Sequence, residues 1–218
     1  MSSIETPTIY PQTLTSDSFL KGVTYLGNRD AQLAKILFRL GPPPFWTREA
    51  GFPTLVHIIL EQQVSLASAK SAFEKLNQAA SPLTPQRFLS FSDGELKGFG
   101  FSRQKMGYCR GLANEILAGN LDLDGFYEKD DAVVRDNLLQ IKGIGIWTAD
   151  IYLLMALRRP DVWPVGDLAL AAAIKELRGY PSRPSHREME ATGEVWRPWR
   201  AIAARILWHS YLKNRRRD

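Results

Sequence analysis

Two short stretches carry residue types and spacings that could do chemistry. In Ile141-Lys142-Gly143-Ile144-Gly145, two glycines one residue apart open an apolar run from Ile146 to Arg158. That spacing lets the backbone turn tightly and aim its amides outward at a helix start, where the helix dipole adds positive potential. The natural ligand of such a turn is a phosphate. No side chain is needed, so the contact would position a nucleic-acid backbone without reading its bases. A glycine-linked helix pair packed for stability alone has the same signature, because Gly-x-Gly is a weak pattern by itself. The second stretch is Gly166-Asp167-Leu168, set off by Pro160 and Pro164. By residue type alone, Asp167 is the N-cap of the helix that follows.

The elements that must position these residues read as helices. AQLAKILFRL places Leu33, Ile36, Leu37 and Leu40 on one face and is stopped by Gly41 and three prolines. From Pro53, the residues Leu55, Val56, Ile59 and Leu60 form a buried stripe. The pattern breaks at Gln62 to Ser65, and Ser65 caps a further helix. Gln62-Gln63 reads here as a polar pair closing a surface turn. Ser92 to Glu95 has capping-box spacing. Met106, Cys109, Leu112, Ala113 and Ile116 share a helical face, and Asp131 to Leu139 supplies the helix entering the glycine hairpin. Further helices are expected at 168 to 178, 188 to 195 and 198 to 213. Strand alternation is almost absent, and no fixed-period repeat occurs. The expectation is an all-α protein of two helical lobes. Residues 53–167 form the central lobe carrying the hairpin at 138–158, and residues 1–52 pack with 168–218 as the second.

A chain of 218 residues, 44% hydrophobic, can bury a substantial core. Its charge of +5 permits a polyanionic partner without demanding one. The single cysteine, Cys109, excludes an intramolecular disulfide and any zinc or iron-sulfur site built from several thiolates. The first twenty residues have no charged start followed by an apolar run, so a soluble intracellular protein is expected. The Ser-, Thr- and Pro-rich start reads as an extended arm. The terminal cluster Lys213-Asn214-Arg215-Arg216-Arg217 reads as a solvated, frayed end rather than a nucleic-acid contact.

The run Leu139 to Ala149 followed by Val165-Gly166-Asp167 resembles the helix-hairpin-helix and Gly-Pro-Asp superfamily of base-excision DNA glycosylases, nearest its 3-methyladenine DNA glycosylase II branch. The resemblance spans about Phe52 to Lys213. It includes Ile59-Leu60-Glu61-Gln62-Gln63-Val64-Ser65, Gly100-Phe101-Ser102-Arg103-Gln104-Lys105 and Trp199-Arg200. Gly166 stands where the superfamily's name has proline.

The resemblance implies a monofunctional glycosylase that flips alkylated purines out of duplex DNA and hydrolyses their N-glycosidic bond during base excision repair. It implies that Asp167 stabilises the charge growing at C1′, and that Gly143, Ile144, Gly145, Ile146 and Thr148 hold the DNA backbone. Gln63, with Gln62 beside it, would be the wedge that fills the gap. Trp208, Trp147 and Tyr152 are candidates for the base pocket, although any single aromatic is more often core. Trp147 occupies the position of the nucleophilic lysine in bifunctional relatives, and Lys142 does not match it, so no Schiff base and no strand cleavage are expected. His57 reads as a core histidine or one supporting the site from behind. The carbonyls of Leu139, Ile141 and Ile144 would hold a monovalent cation, Na+ or K+; no other cofactor and no iron-sulfur cluster are implied. The partner is duplex DNA with damaged bases, met by a monomer that needs no membrane. Two other readings stay open: a non-catalytic helix-hairpin-helix DNA-binding module, and a glycosylase for another damaged or mismatched base.

Overall fold

The computed structural model describes residues 13–215. The terminal arm to residue 12 and Arg216 and Arg217 lie outside the described residues. Every regular element among these residues is helical. The order is α1 Ser16–Arg29, α2 Ala31–Leu40, α3 Phe52–Glu61, α4 Leu66–Ala79, α5 Pro85–Ser90, α6 Asp93–Phe99, α7 Arg103–Leu117, a 3-10 turn Asp124–Glu128, α8 Asp131–Leu139, α9 Ile146–Met155, α10 Leu168–Arg178, α11 His186–Glu194 and α12 Arg200–Asn214.

Local chemistry accounts for many of the helix boundaries. The hydroxyls of Thr15, Ser65, Thr84, Ser92, Ser102 and Ser185 each accept the backbone amide three residues on, so each fixes a helix start. Leaving such an amide bare typically costs about 1 kcal/mol. At the other end of the hairpin unit, α9 stops at Met155, short of the expected Arg158. Arg158 lies at φ 56°, and the Arg159 amide reaches back to the carbonyl of Leu153. At the basic C-terminus α12 continues through Lys213 and Asn214, Lys213 and Arg215 are exposed, and the Arg215 guanidinium sits 4.4 Å from the centre of the Tyr211 ring.

Helix α3, apolar nearly all round, packs on α4, α7 and α9, and α8 packs on α9. Helices α1, α2, α10 and α12 pack on one another. A continuous apolar core runs through both groups, from Leu26 and Leu33 through Leu55 and Leu153 to Leu207. Arg205, fully buried on α12, ties the groups together. Its guanidinium donates to the carbonyls of Ala201, of Leu154 at the end of α9, and of Trp46 in the linking loop. The carbonyl end of a helix is where a cation is most favourable, so Arg205 neutralises the end of α9 while anchoring α12 to it.

Candidate active site and nucleic-acid interface

The turn before α10 delivers Asp167. It closes through the Asp167 amide and the carbonyl of Pro164, 3.0 Å apart, without using the amide of Gly166. A side chain at 166 would make only ordinary contact, 3.8 Å from Trp147. The turn therefore does not depend on proline or glycine at that position.

Asp167 is the N-cap of α10, as its residue type predicts, and more. Its Oδ1 accepts the Leu170 amide at 2.7 Å and the Trp208 indole N–H at 3.0 Å, and its Oδ2 accepts the Trp147 indole N–H at 2.9 Å. The residue is only 9% exposed. Three donors fix both carboxylate oxygens in a nearly dry setting, where charge interactions are much stronger than in water. Trp147 and Trp208 thus meet at the carboxylate.

Tyr152 does not join them, contrary to the expectation of a pocket residue. It is fully buried, its hydroxyl accepts the Gly51 amide at 2.9 Å, and its ring lies edge-on to Phe126. Burial pushes its phenol above the usual range. Tyr152 is core.

The hairpin is tight for an identifiable reason. The Ile144 amide bonds the Ile141 carbonyl at 3.0 Å, and both isoleucines are buried as anchors. Gly143 sits at φ 94°, and a Cβ there would fall 2.1 Å from the Tyr108 ring, so no other residue fits. Gly145 is the N-cap of α9, with no side chain capping it and open space around it. With Ile146 also exposed, the first amides of α9 face outward, as an anion site requires. The Thr148 side chain is 2% exposed and its hydroxyl accepts a hydrogen bond from Gln62, so it packs inward, and only its backbone amide, in the first turn of α9, belongs to the set that could meet an anion.

Gln62 and Gln63, adjacent in sequence, are separated in role. The Gln62 carboxamide donates to the Gly143 carbonyl at 2.8 Å and to the Thr148 hydroxyl at 3.0 Å, which ties it down and removes it as a wedge. Gln63 is exposed and adopts φ 57°, a left-handed conformation that for a non-glycine residue costs about 1–3 kcal/mol. Lys105 of α7 holds this loop from below, its ammonium donating to the carbonyls of Leu60 at 2.6 Å and Gln62 at 2.8 Å. Lys105 belongs to the Gly100–Lys105 motif, and nothing local in that stretch marks its contact with a loop more than forty positions away.

The family model for HhH-GPD superfamily base excision DNA repair proteins matches residues 56–198. The chain belongs to that superfamily. Among the relatives of this HhH-GPD protein, DNA-3-methyladenine glycosylase 1 of Schizosaccharomyces pombe is 25% identical over 81% of this chain and 79% of its own. A putative DNA-3-methyladenine glycosylase, YfjP, of Bacillus subtilis is 27% identical over 72% of this chain, which spans 57% of that relative's length. In fold, the HhH-GPD chain matches the S. pombe 3-methyladenine DNA glycosylase bound to abasic DNA with a TM-score of 0.78 at 24% identity, over 86% of this chain and 95% of that one. It matches the DNA-3-methyladenine glycosidase of Bacillus halodurans with a TM-score of 0.73 at 27% identity, over 93% of each chain.

The other candidates of this HhH-GPD protein lie apart from Asp167. His57 stacks on Phe73, ring centres 4.3 Å apart, and burial holds it below the usual histidine range. Cys109 is fully buried, and its thiol is pushed up accordingly. Among the described residues, no three His, Cys, Asp or Glu side chains are grouped to hold a metal ion, and no helix is long and apolar enough to cross a membrane.

Proposed function

We propose that the protein is a monofunctional DNA glycosylase that hydrolyses the N-glycosidic bond of alkylated purines in duplex DNA. The observation that carries the reading is the buried Asp167 carboxylate, gripped by the indoles of Trp147 and Trp208 and lying in the same HhH-GPD segment as the hairpin. As the base departs, positive charge grows at C1′, and a preoriented carboxylate in a low-dielectric cleft stabilises it without reorganising. An alkylated purine is already cationic and leaves without a strong general acid, so a single carboxylate suffices. The indoles offer π surfaces that favour a cationic base. With Trp147 where bifunctional relatives carry a lysine, there is no amine to form a Schiff base, and the product is an intact abasic site.

The open amides of Gly143, Gly145 and Ile146 seat a phosphate of the lesion strand, while the Ile144 amide is used inside the hairpin. Gln63 enters the stack as the nucleotide leaves it, an extrusion that costs about a few kcal/mol and least for damaged bases. Na+ or K+ would suit the neutral carbonyls of Leu139, Ile141 and Ile144, of which Ile141 already accepts one amide and keeps one lone pair; when bound, the cation would supply positive charge that favours a phosphate nearby. The protein works as a monomer on duplex DNA, in the compartment that holds it.

Incubating the protein with methylated duplex DNA and separating the released bases by chromatography tests the reading. Free 3-methyladenine with an uncut strand is expected. Salt-dependent binding with no free base would identify a non-catalytic DNA-binding module instead, and release confined to oxidised or mismatched bases would move the substrate class.

A further inference from the structure

The exposed Gln63 and the hairpin come from distant parts of the chain, yet they are fastened to each other by two side chains. Lys105 donates to the carbonyls of Leu60 and Gln62, which bracket the last residue of α3, and so sets the path by which the chain enters Gln63. From the next position back, Gln62 sends its carboxamide across to the Gly143 carbonyl and the Thr148 hydroxyl. The third member is α7 itself, because Tyr108, one turn beyond Lys105, presses its ring against Gly143.

We infer that Lys105 and Gln62 form a joint that holds the Gln63 wedge and the phosphate-binding hairpin in fixed register, making both positioning residues for nucleotide extrusion. The joint works by geometry. A wedge can push a nucleotide out only if the backbone it pushes against is held at a fixed distance, and the two contacts of Gln62 end on the hairpin turn at Gly143 and on the first turn of α9 at Thr148. The Lys105 ammonium satisfies carbonyls that the end of α3 leaves open. It also supplies the rigidity that keeps Gln63 in its left-handed conformation, which local preference alone would abandon.

This inference rests on the glycosylase reading for its purpose, but it can be tested on DNA that is not hydrolysed. Affinity for a duplex with a tetrahydrofuran abasic analogue is measured for Gln63→Ala, Lys105→Met, Gln62→Met and the double variants with Gln63→Ala, and 2-aminopurine opposite the analogue reports stacking. If the joint acts through the wedge, each single variant binds about tenfold more weakly, each double variant is no worse than the singles, and the 2-aminopurine signals of all variants coincide. Additive losses, near a hundredfold in the doubles, would overturn it, as would wild-type affinity in Lys105→Met or Gln62→Met. Thermal melting of each variant identifies a loss due to unfolding; if Lys105→Met fails to fold, Gln62→Met, which keeps size and removes the carboxamide that makes both contacts, decides alone. Base release by the wild-type protein is scored separately, so an inactive wild type with non-additive binding removes the glycosylase reading and leaves the joint.

Discussion

The Trp147 indole N–H lies 2.9 Å from Oδ2 of Asp167, so this ring orients the carboxylate from the first turn of α9. Trp147→Phe keeps an aromatic ring and removes the donor. Hydrogen bonds to charged groups are worth about 1.5–3 kcal/mol, so single-turnover base release should slow about tenfold or more while the affinity for abasic DNA changes little. An unchanged rate in rapid-quench measurements would remove the indole from the mechanism.

Asp167→Asn separates the two duties of this carboxylate. Asparagine still caps α10, so the protein should fold, with a melting temperature lower by several degrees from the one buried indole donor that loses its acceptor. Its amide nitrogen, however, must face one of the two indole N–H donors, and it carries no charge to stabilise C1′. Base release should fall by about a hundredfold or more, as when one preorganised group is lost, with abasic-DNA binding kept.

The two hairpin glycines should respond oppositely. Gly143→Ala must displace the Tyr108 ring and hold alanine at φ 94°, a loss of about 1–3 kcal/mol readable in urea unfolding. Gly145→Ala meets open space and should cost less than about 1 kcal/mol. Its new methyl group projects beside the outward amides, so DNA affinity should drop although the fold is intact.

Gln63→Gly should be no less stable than the wild type and yet bind abasic DNA more weakly. The strain of φ 57° is relieved, by about 1–2 kcal/mol against the entropy glycine adds to the unfolded chain, while the side chain that fills the stack is gone. Paired melting and binding measurements would show the two properties moving apart.

Burial holds both His57 and His209 below the ordinary histidine range, so each binds a proton more readily in the unfolded chain. Stability is therefore highest above the unfolded value of about 6.5 and declines as pH falls below it toward the lowered folded values. The double variant His57→Asn, His209→Asn should lose less stability between pH 7.5 and 5.5 than the wild type, as read from urea midpoints.

The helices were legible because capping residues and apolar periodicity are local. The Ser92–Glu95 box, the Ser65 cap and the 168 to 178 helix follow directly from them. The hairpin and Asp167 were legible because both lie within one contiguous motif. What stayed hidden depends on contacts between distant residues. Nothing local distinguishes Gln62 from Gln63, since their separation rests on a carboxamide reaching Gly143, 81 positions away, and on a lysine 43 positions away. The expected α9 ran to Arg158 because Ala156 and Leu157 carry its apolar run past Met155, whereas the backbone leaves the helix at Ala156 and is left-handed at Arg158. Tyr152 looked like a ligand-facing aromatic because its partner, the Gly51 amide, belongs to a loop 101 positions back.

The two indoles that grip Asp167 arrive on α9 and α12, helices from different packing groups. The carboxylate is therefore the rivet in the seam between the two halves of the molecule. Loss of either indole would therefore loosen two things at once: the setting of the carboxylate, and the contact that joins α9 and α12 through it.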